Sequence, residues 1–454
     1  MRLYNTLTGR EDEFRPVEPG RVRMYVCGVT PYAPCHLGHA MSYVVFDVLR
    51  RYLEFLGYQV DHVQNFTDVD DKILQTSQRE GVSPRELADR HIQEFMASME
   101  ALNVKKARVY PRATQEIPNM VRVIGSLVDK GYAYPSNGDV YFRVAKDDDY
   151  GKLSHRTLDG MKAGARIEVG AGKEHPMDFA LWKAAKEGEL SWESPWGRGR
   201  PGWHIECSAM SLEYLGETLD IHGGGQDLVF PHHENEIAQS EAHTGVAPFA
   251  RYWVHNGLLQ IGEDKMSKST GNLVPLGEAL KGFSPDALRL FFLSSHYRSP
   301  LTYADDGLSS NERAADRLRN ALRQAPQEGA DALDPEPYRH QFVGAMDSDL
   351  NSPQALAALF DLARDINRTI ESGGGVLQAQ ETLRELGSVL GLTLQKSQRG
   401  GTVDSVPFID LLINTRRELR AAKQFALADQ IREQLAELGV ELEDTAQGTQ
   451  WKYR

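Results

Sequence analysis

The densest cluster of chemically able side chains is FPHHENE at 230–236, where two histidines precede Glu234, Asn235 and Glu236. On a helix, His232 and Glu236 share one face about a turn apart. That placement suits two ligands of one metal ion, and equally a solvated polar helix end. A second cluster is HLGH at 36–39. If it opens a helix, His36 and His39 add donors to the free backbone N–H groups and the positive dipole end, a natural anion site. Gly38 removes a side chain, so a ring or phosphate can approach the backbone. The alternative is that one histidine simply caps the helix. The third cluster is KMSKS at 265–269. Lys265 and Lys268 can clamp the outer phosphates of a nucleotide and stabilise transition-state charge. An ordinary solvated lysine–serine loop has the same composition. The three cysteines, Cys27, Cys35 and Cys207, are far apart and include no C-x-x-C pair. That argues against a disulfide framework and a zinc ribbon, and the default for each is an inert core residue.

These side chains need elements to position them. VRMYVCGVTPY reads as a buried strand running into a turn, and the HLGH segment then opens a long amphipathic helix that Gly57 stops. YQVDHVQNFTD reads as a second strand. Strand, helix, strand is a βαβ unit, which places a site at the carboxyl ends of a parallel sheet. Ser83, Pro84 and Glu86 signal a helix start, as do Ser284 and Pro285. Asn137-Gly138 marks a hairpin. Sheet-like elements are expected to resume at GWHIECSAM and TLDIHGGGQDL. RQAPQEGADALDPEP and QKSQRGGTVDSV read as linkers around a set of helices.

The expected fold is α/β: a Rossmann-type parallel-sheet core with an insertion, then an α-helical bundle and a small C-terminal α+β domain. The expected boundaries are 1–115 and 200–230 for the two halves of the core and 116–199 for the insertion. A KMSKS-bearing stem-contact segment follows at 231–308, the bundle at 309–395 and the last domain at 396–454.

With 454 residues the chain exceeds one ordinary core. Hydrophobic residues make up 41% and charged residues 25%, as in globular proteins, and no apolar run is long enough to span a bilayer. The polar, acidic start is neither a signal nor a transit peptide, which predicts a cytoplasmic protein with no membrane partner. A formal charge of −13 argues against a broad phosphate-binding surface but leaves room for a local basic face.

HLGH after the first strand of a parallel sheet, with KMSKS far downstream, resembles the class I aminoacyl-tRNA synthetases. MYVCGVTPY, GWHIECSAM and HGGGQDLVFPHHENE each lie at or just beyond an expected strand end. That gives Cys27, Cys207, His232 and Glu236 as a candidate Cys₂-His-Glu zinc site. These spacings, together with NFTDVDDKI, DFALWK, GEDKMSKSTGN, DALRLFFLSSHYRSPLTY and LEDTAQGTQW, are similar to the cysteinyl-tRNA synthetase family over nearly the whole chain.

The resemblance implies one Zn²⁺ per chain, Mg²⁺ with ATP, and L-cysteine, ATP and tRNA for cysteine as partners of a monomer. It implies catalytic roles for His36, His39, Lys265 and Lys268, with Gly38, Gly225 and Asp227 also contacting ATP. It places Cys27, Gly28, Thr67, Trp203, Cys207 and His232 around the amino acid. A zinc ion there would favour a thiolate over the hydroxyl of serine, where an apolar pocket alone separates similar side chains only ~10–200-fold. The substrate thiolate would enter as an additional ligand, with Glu236 able to loosen. For Trp203 and His233 the alternative is core packing. His233 and Glu234 would support the ligands or the structure around them, and His204, His222 and Cys35 receive no assigned chemistry. Arg416, Arg420 and Lys423 fall on or near one helix face, and the resemblance implies base reading by Arg420, Phe425, Asp429 and Asp444. Composition alone permits a merely solvated helix there. Two rivals remain: a cysteine ligase acting on an amino sugar, which lacks the terminal domain, and a catalytically silent RNA-binding relative.

Overall fold

The computed structural model describes all residues except 158–171, 187, 262–263, 266–273, 324–332, 396–405, 446–447 and 454. Two compact units partition the chain, Met1–Gln395 and Lys396–Arg454.

At the centre of the first unit lies a four-stranded parallel sheet. Its spatial order is Ala250–Asn256, Leu219–Gly225, Arg21–Val29, Gln59–Phe66. The helix Leu37–Phe55 makes the crossover between Arg21–Val29 and Gln59–Phe66. The expected βαβ unit is therefore present. Parallel strands buried on both faces read as nearly continuous apolar runs, and Val22, Met24, Tyr25 and Val26 are all fully buried. Ala250–Asn256 lies beyond the 200–230 segment expected for the second half of the core, so the sheet continues to at least Asn256.

A second difference concerns GWHIECSAM. Trp203–Leu215 is an α-helix, not a strand. Ile205, Ala209 and Met210 are buried, as are Cys207, Ser208 and Ser211. A helix buried on most of its circumference, with Glu206 and two serines inside, carries no clear apolar period, so a short run of this kind reads as a strand. Cys207 is thus carried by a helix packed beside the sheet.

Four strands form an antiparallel sheet, Ala133–Ser136, Asp139–Phe142, Phe179–Ala184 and Gly199–Pro201. Its first turn is the expected Asn137-Gly138 pair, both with positive φ. Ser83 caps Pro84–Ala101 by accepting from the Glu86 amide, and Ser284 caps Pro285–Leu293 by accepting from the Ala287 amide. Further on come the helices Asp305–Arg323, Glu336–Asp347, Ser352–Glu371 and Leu377–Val389. They share one hydrophobic cluster with the helix Leu37–Phe55, through Leu318, Phe342, Leu359 and Leu386.

The second unit is α+β: helices Val406–Ala421 and Phe425–Glu437, then an antiparallel hairpin, Val440–Thr445 with Gly448–Tyr453. Ile409, Leu435, Val440 and Leu442 make its small core. No helix among the described residues is long and apolar enough to cross a membrane.

Candidate active site and metal centre

Cys27 sits near the carboxyl end of Arg21–Val29, where the pairing with Gln59–Phe66 shifts register between Val26 and Val29. Asn65 spans the irregularity: the Gly28 amide donates to its Oδ1 at 2.8 Å. A Cβ at Gly28 would fall 1.5 Å from the Asn65 carbonyl oxygen, so only glycine fits this approach. Sequence reasoning missed Asn65, although its place at a parallel-strand end pointed to it.

Cys27, Cys207, His232 and Glu236 each bring a donor atom within 4.8 Å of the others, and all four are buried. Their elements are a strand end, the helix Trp203–Leu215, and the turn and first helical residues around Glu234–Thr244. The two sulfurs are 3.7 Å apart. Two sulfurs each ~2.3 Å from a tetrahedral ion would stand roughly 3.8 Å apart, so the thiol pair fits zinc. His232 Nε2 lies 3.0 Å from Glu236 Oε1, as the four-residue spacing predicted. Glu236 Oε2 is buried, with His222 Nε2 3.2 Å away. Two thiols, an imidazole and a buried carboxylate converging within 4.8 Å are a donor set that a cation satisfies.

The electrostatics agree. Burial and the Cys207 thiol push Cys27 well up, whereas the hydrogen bond from Cys27 holds Cys207 down at about 6. Burial would lower His232, but Glu236 and Cys207 outweigh it and raise it to about 10. Burial would raise Glu236, but His222 and His232 hold it down. Protons held by such a cluster are the ones a cation displaces.

A second group, Cys27 with His222, His233 and Glu236, meets the same distance limit. It offers one sulfur rather than two. His233 is fully buried and hydrogen-bonded to His255, so the core-packing alternative and a role at the cluster are both compatible with its place. Glu234 is structural: its carboxylate accepts from the amides of Gly151, Leu153 and Ser154. His204 Nδ1 lies 3.0 Å from His232 Nδ1. Cys35 is buried outside the cluster, and burial raises its thiol to about 12.

Beside the cluster opens a cavity of about 770 Å³, within the range of small-ligand sites. Cys27, Gly28, His36, Gly38, His39, Trp203, Gly225 and Asp227 all line it. Trp203 is 42% exposed and stacks on His232 at 4.3 Å, so it is a wall and not core. Thr67 does not line the cavity; it is buried, with Asn65 Nδ2 donating to its hydroxyl at 3.3 Å.

Both HLGH readings coexist in the geometry. His36 caps Leu37–Phe55 by accepting from the His39 amide at 3.4 Å. The two rings also stack at 3.7 Å on the cavity wall, and His39 Nδ1 is buried without a partner. Burial lowers His36 to about 4, and burial with His36 lowers His39 to about 3. Both are therefore neutral at pH 7 and face the cavity as dipoles. The backbone of Lys265 pairs with Gln260, while Lys268 lies outside the described residues.

In the second unit the expected basic face is divided. Arg416 is buried, and both its terminal nitrogens donate to Asp444 at 2.9 Å. Thr449 donates to the same carboxylate. Arg416 is thus a core strut rather than a surface cation, and it occupies Asp444. Lys423 falls past the helix end with positive φ. Arg420 stays half-exposed, 3.8 Å from Asp429 and 6.0 Å above the Phe425 ring. A period-3.6 pattern groups residues by face but does not say which face the hairpin covers.

Comparison with known proteins decides the family. The tRNA synthetases class I (C) catalytic domain matches residues 13–313, the DALR domain 341–395, and the cysteinyl-tRNA ligase anticodon binding domain 407–451. The chain is 57% identical to the cysteine–tRNA ligase of Dehalococcoides mccartyi (strain 195), with all of both chains covered. It is 51% identical to that of Moorella thermoacetica, again over both whole lengths. The chain belongs to the cysteine–tRNA ligase family. This ligase family accounts for the class I catalytic fold seen here. Mycobacterium tuberculosis methionyl-tRNA synthetase in complex with methionyl-adenylate shares that fold, with TM-score 0.60, 17% identity, and 82% of this chain and 89% of that one covered.

Proposed function

We propose that the chain activates L-cysteine with ATP and transfers it to the 3′-terminal ribose of tRNA for cysteine, in the cytoplasm, as a monomer. The observation that carries this reading is the buried Cys27, Cys207, His232 and Glu236 cluster beside the cavity that HLGH lines. The cysteine carboxylate attacks the ATP α-phosphate, pyrophosphate leaves, and the adenylate then passes cysteine to the tRNA ribose. Cys27, Cys207, His232 and Glu236 would hold a zinc ion, a Lewis acid that would favour a substrate thiolate over a hydroxyl. Trp203 forms the side wall of the amino-acid end. Gly28 lines the amino-acid end with its amide held by Asn65, and Thr67 supports the pocket through the same Asn65. His36 and His39 meet the ATP phosphates at a helix N-terminus, where neutral imidazole N–H groups and backbone amides follow the developing charge. Gly225 leaves room for the nucleoside, and Asp227 accepts from ribose hydroxyls. Mg²⁺ accompanies ATP, and Lys265 and Lys268 clamp its outer phosphates. Arg420, Phe425 and Asp429 read anticodon bases by hydrogen bonding and stacking, while Asp444 serves that surface through its bond to Arg416.

Lys268→Ala is expected to depress cysteine-dependent ATP–pyrophosphate exchange by ~100–1,000-fold, since a charge met only in the transition state is lost. Zinc content should stay at the wild-type level. Normal exchange would reduce KMSKS to a solvated loop.

Deleting residues beyond 395 removes the second unit as a whole. Exchange should remain near wild type, whereas tRNA charging should fall severely, mostly through weaker tRNA binding. Arg420→Ala should do this in part, because one good base contact is worth ~1–3 kcal/mol. Unchanged tRNA charging after truncation would overturn the anticodon reading. Abolished exchange would make the unit a prop for the core.

A further inference from the structure

Behind the cluster, a line of hydrogen bonds runs from the N-terminal hairpin to the Cys27 sulfur. Thr6 Oγ1 is 2.8 Å from His255 Nδ1, and His255 Nε2 is 2.8 Å from His233 Nδ1. His233 Nε2 is then 3.3 Å from Cys27 Sγ. Both imidazoles are buried. The outer end is itself tied down. The Thr6 amide donates to the Trp253 carbonyl at 2.9 Å, and the Thr6 carbonyl accepts from His155 Nε2 at 2.8 Å. None of these contacts enters the mechanism above.

We propose that Thr6, His255 and His233 are positioning residues that fix the Cys27 sulfur in the cluster, with His233 donating to that sulfur rather than ligating the metal. The proposal rests on the zinc reading. A neutral imidazole carries one N–H and one lone pair. If the Thr6 hydroxyl donates to His255 Nδ1, then His255 Nε2–H donates to His233 Nδ1. His233 Nε2–H is thereby left to donate to sulfur. A thiolate is a charged acceptor, so this orientation is the one a metal-bound Cys27 favours. The hydroxyl sets which nitrogen of each ring holds the proton, as outer partners do for groups at metal sites. The 3.7 Å separation of the two sulfurs supports Cys207 rather than His233 as the neighbour of Cys27 in the ligand set. In sequence the line is invisible, because Thr6 and His255 are 249 residues apart.

Competition with a chromophoric chelator on the full-length protein tests this. His255→Leu should bind zinc ~10–100-fold more weakly, the usual loss when an outer partner of a metal site is removed. Its KM for cysteine should rise while its KM for ATP stays within about twofold of wild type, a split that general destabilisation does not produce. His233→Leu should behave alike. His233→Gln, whose amide N–H reaches about the Nε2 position, should restore most of the affinity. Thr6→Val, which keeps volume and both rings, should weaken zinc in the same direction by less. If His255→Leu does not fold, Thr6→Val decides, and an unchanged zinc affinity there overturns the proposal. It is also overturned if His233→Gln loses zinc as fully as a ligand variant, which would make His233 a ligand. A wild-type protein that binds no zinc fails the metal reading itself, and this proposal with it.

Discussion

Replacing Cys207 by serine is expected to strip the protein of zinc. Wild-type protein purified without chelator should hold about one zinc per chain. In Cys207→Ser the content should fall close to zero, because an un-ionised hydroxyl replaces a thiol that ionises at about 6. The loss of cysteine-dependent ATP–pyrophosphate exchange should exceed the ~10–100-fold that removing an outer partner alone costs. Stability should fall as well, since His232 and Glu236 then remain buried with neither cation nor full pairing. Cys35→Ser is the matched control. Cys35 is also buried, but its thiol approaches the His36 carbonyl at 3.8 Å and it belongs to no metal-ligating group among the described residues. Metal analysis should find its zinc content unchanged. Full zinc retention in Cys207→Ser would sink the assignment of the ligand set.

Arg289→Leu should unfold the protein far more readily than a surface change. Arg289 is fully buried, and its guanidinium donates to Asp47 at 2.6 Å, to the Leu102 carbonyl at 2.9 Å and to the Leu390 carbonyl at 2.8 Å. It joins the HLGH-bearing helix, through Asp47, to the segment at Leu102 and to the end of the helix Leu377–Val389. Gly391 with positive φ makes the room: a Cβ there would sit 2.1 Å from the guanidinium. Leucine in place of Arg289 leaves both carbonyls without this donor and Asp47 with only Arg51 and the Lys105 amide. Breaking a buried pair in this way costs ~3–5 kcal/mol. Urea unfolding at pH 7 should show that loss, and Asp47→Leu with Arg289→Leu should recover part of it. The pair also predicts acid sensitivity. Burial alone would raise Asp47, but Arg289 and Arg51 hold it below its ordinary value. A carboxyl lowered by folding contributes stability fully above its unfolded value of ~3.9 and loses it as pH falls further. That acid-dependent component should shrink in the Arg289→Leu variant. Equal stability of variant and wild type at pH 7 would refute the strut.

The βαβ start, the Ser83 and Ser284 caps and the Asn137-Gly138 turn were legible in the sequence because each rests on neighbours in the chain. Local sterics, hydrogen bonding and period act over a few residues, so the chain itself carries them. HLGH at a helix start and the four-residue spacing of His232 and Glu236 are local in the same sense. Burial patterns that depend on what covers an element are different. Trp203–Leu215 is buried on most sides, its polar Glu206, Ser208 and Ser211 included, and that hid its helical period. Arg416 looked like a surface cation until the hairpin placed Asp444 against it. The core sheet likewise extended to Ala250–Asn256, since strand pairing between distant segments leaves no local mark. At the cluster, the sequence determined which residue types were available. Packing decided that Cys27 and Cys207 stand 3.7 Å apart, that Asn65 holds the Gly28 amide, and that Thr6 reaches Cys27 through two histidines. Such contacts join residues far apart in the chain, and only the folded backbone brings their side chains within hydrogen-bonding range.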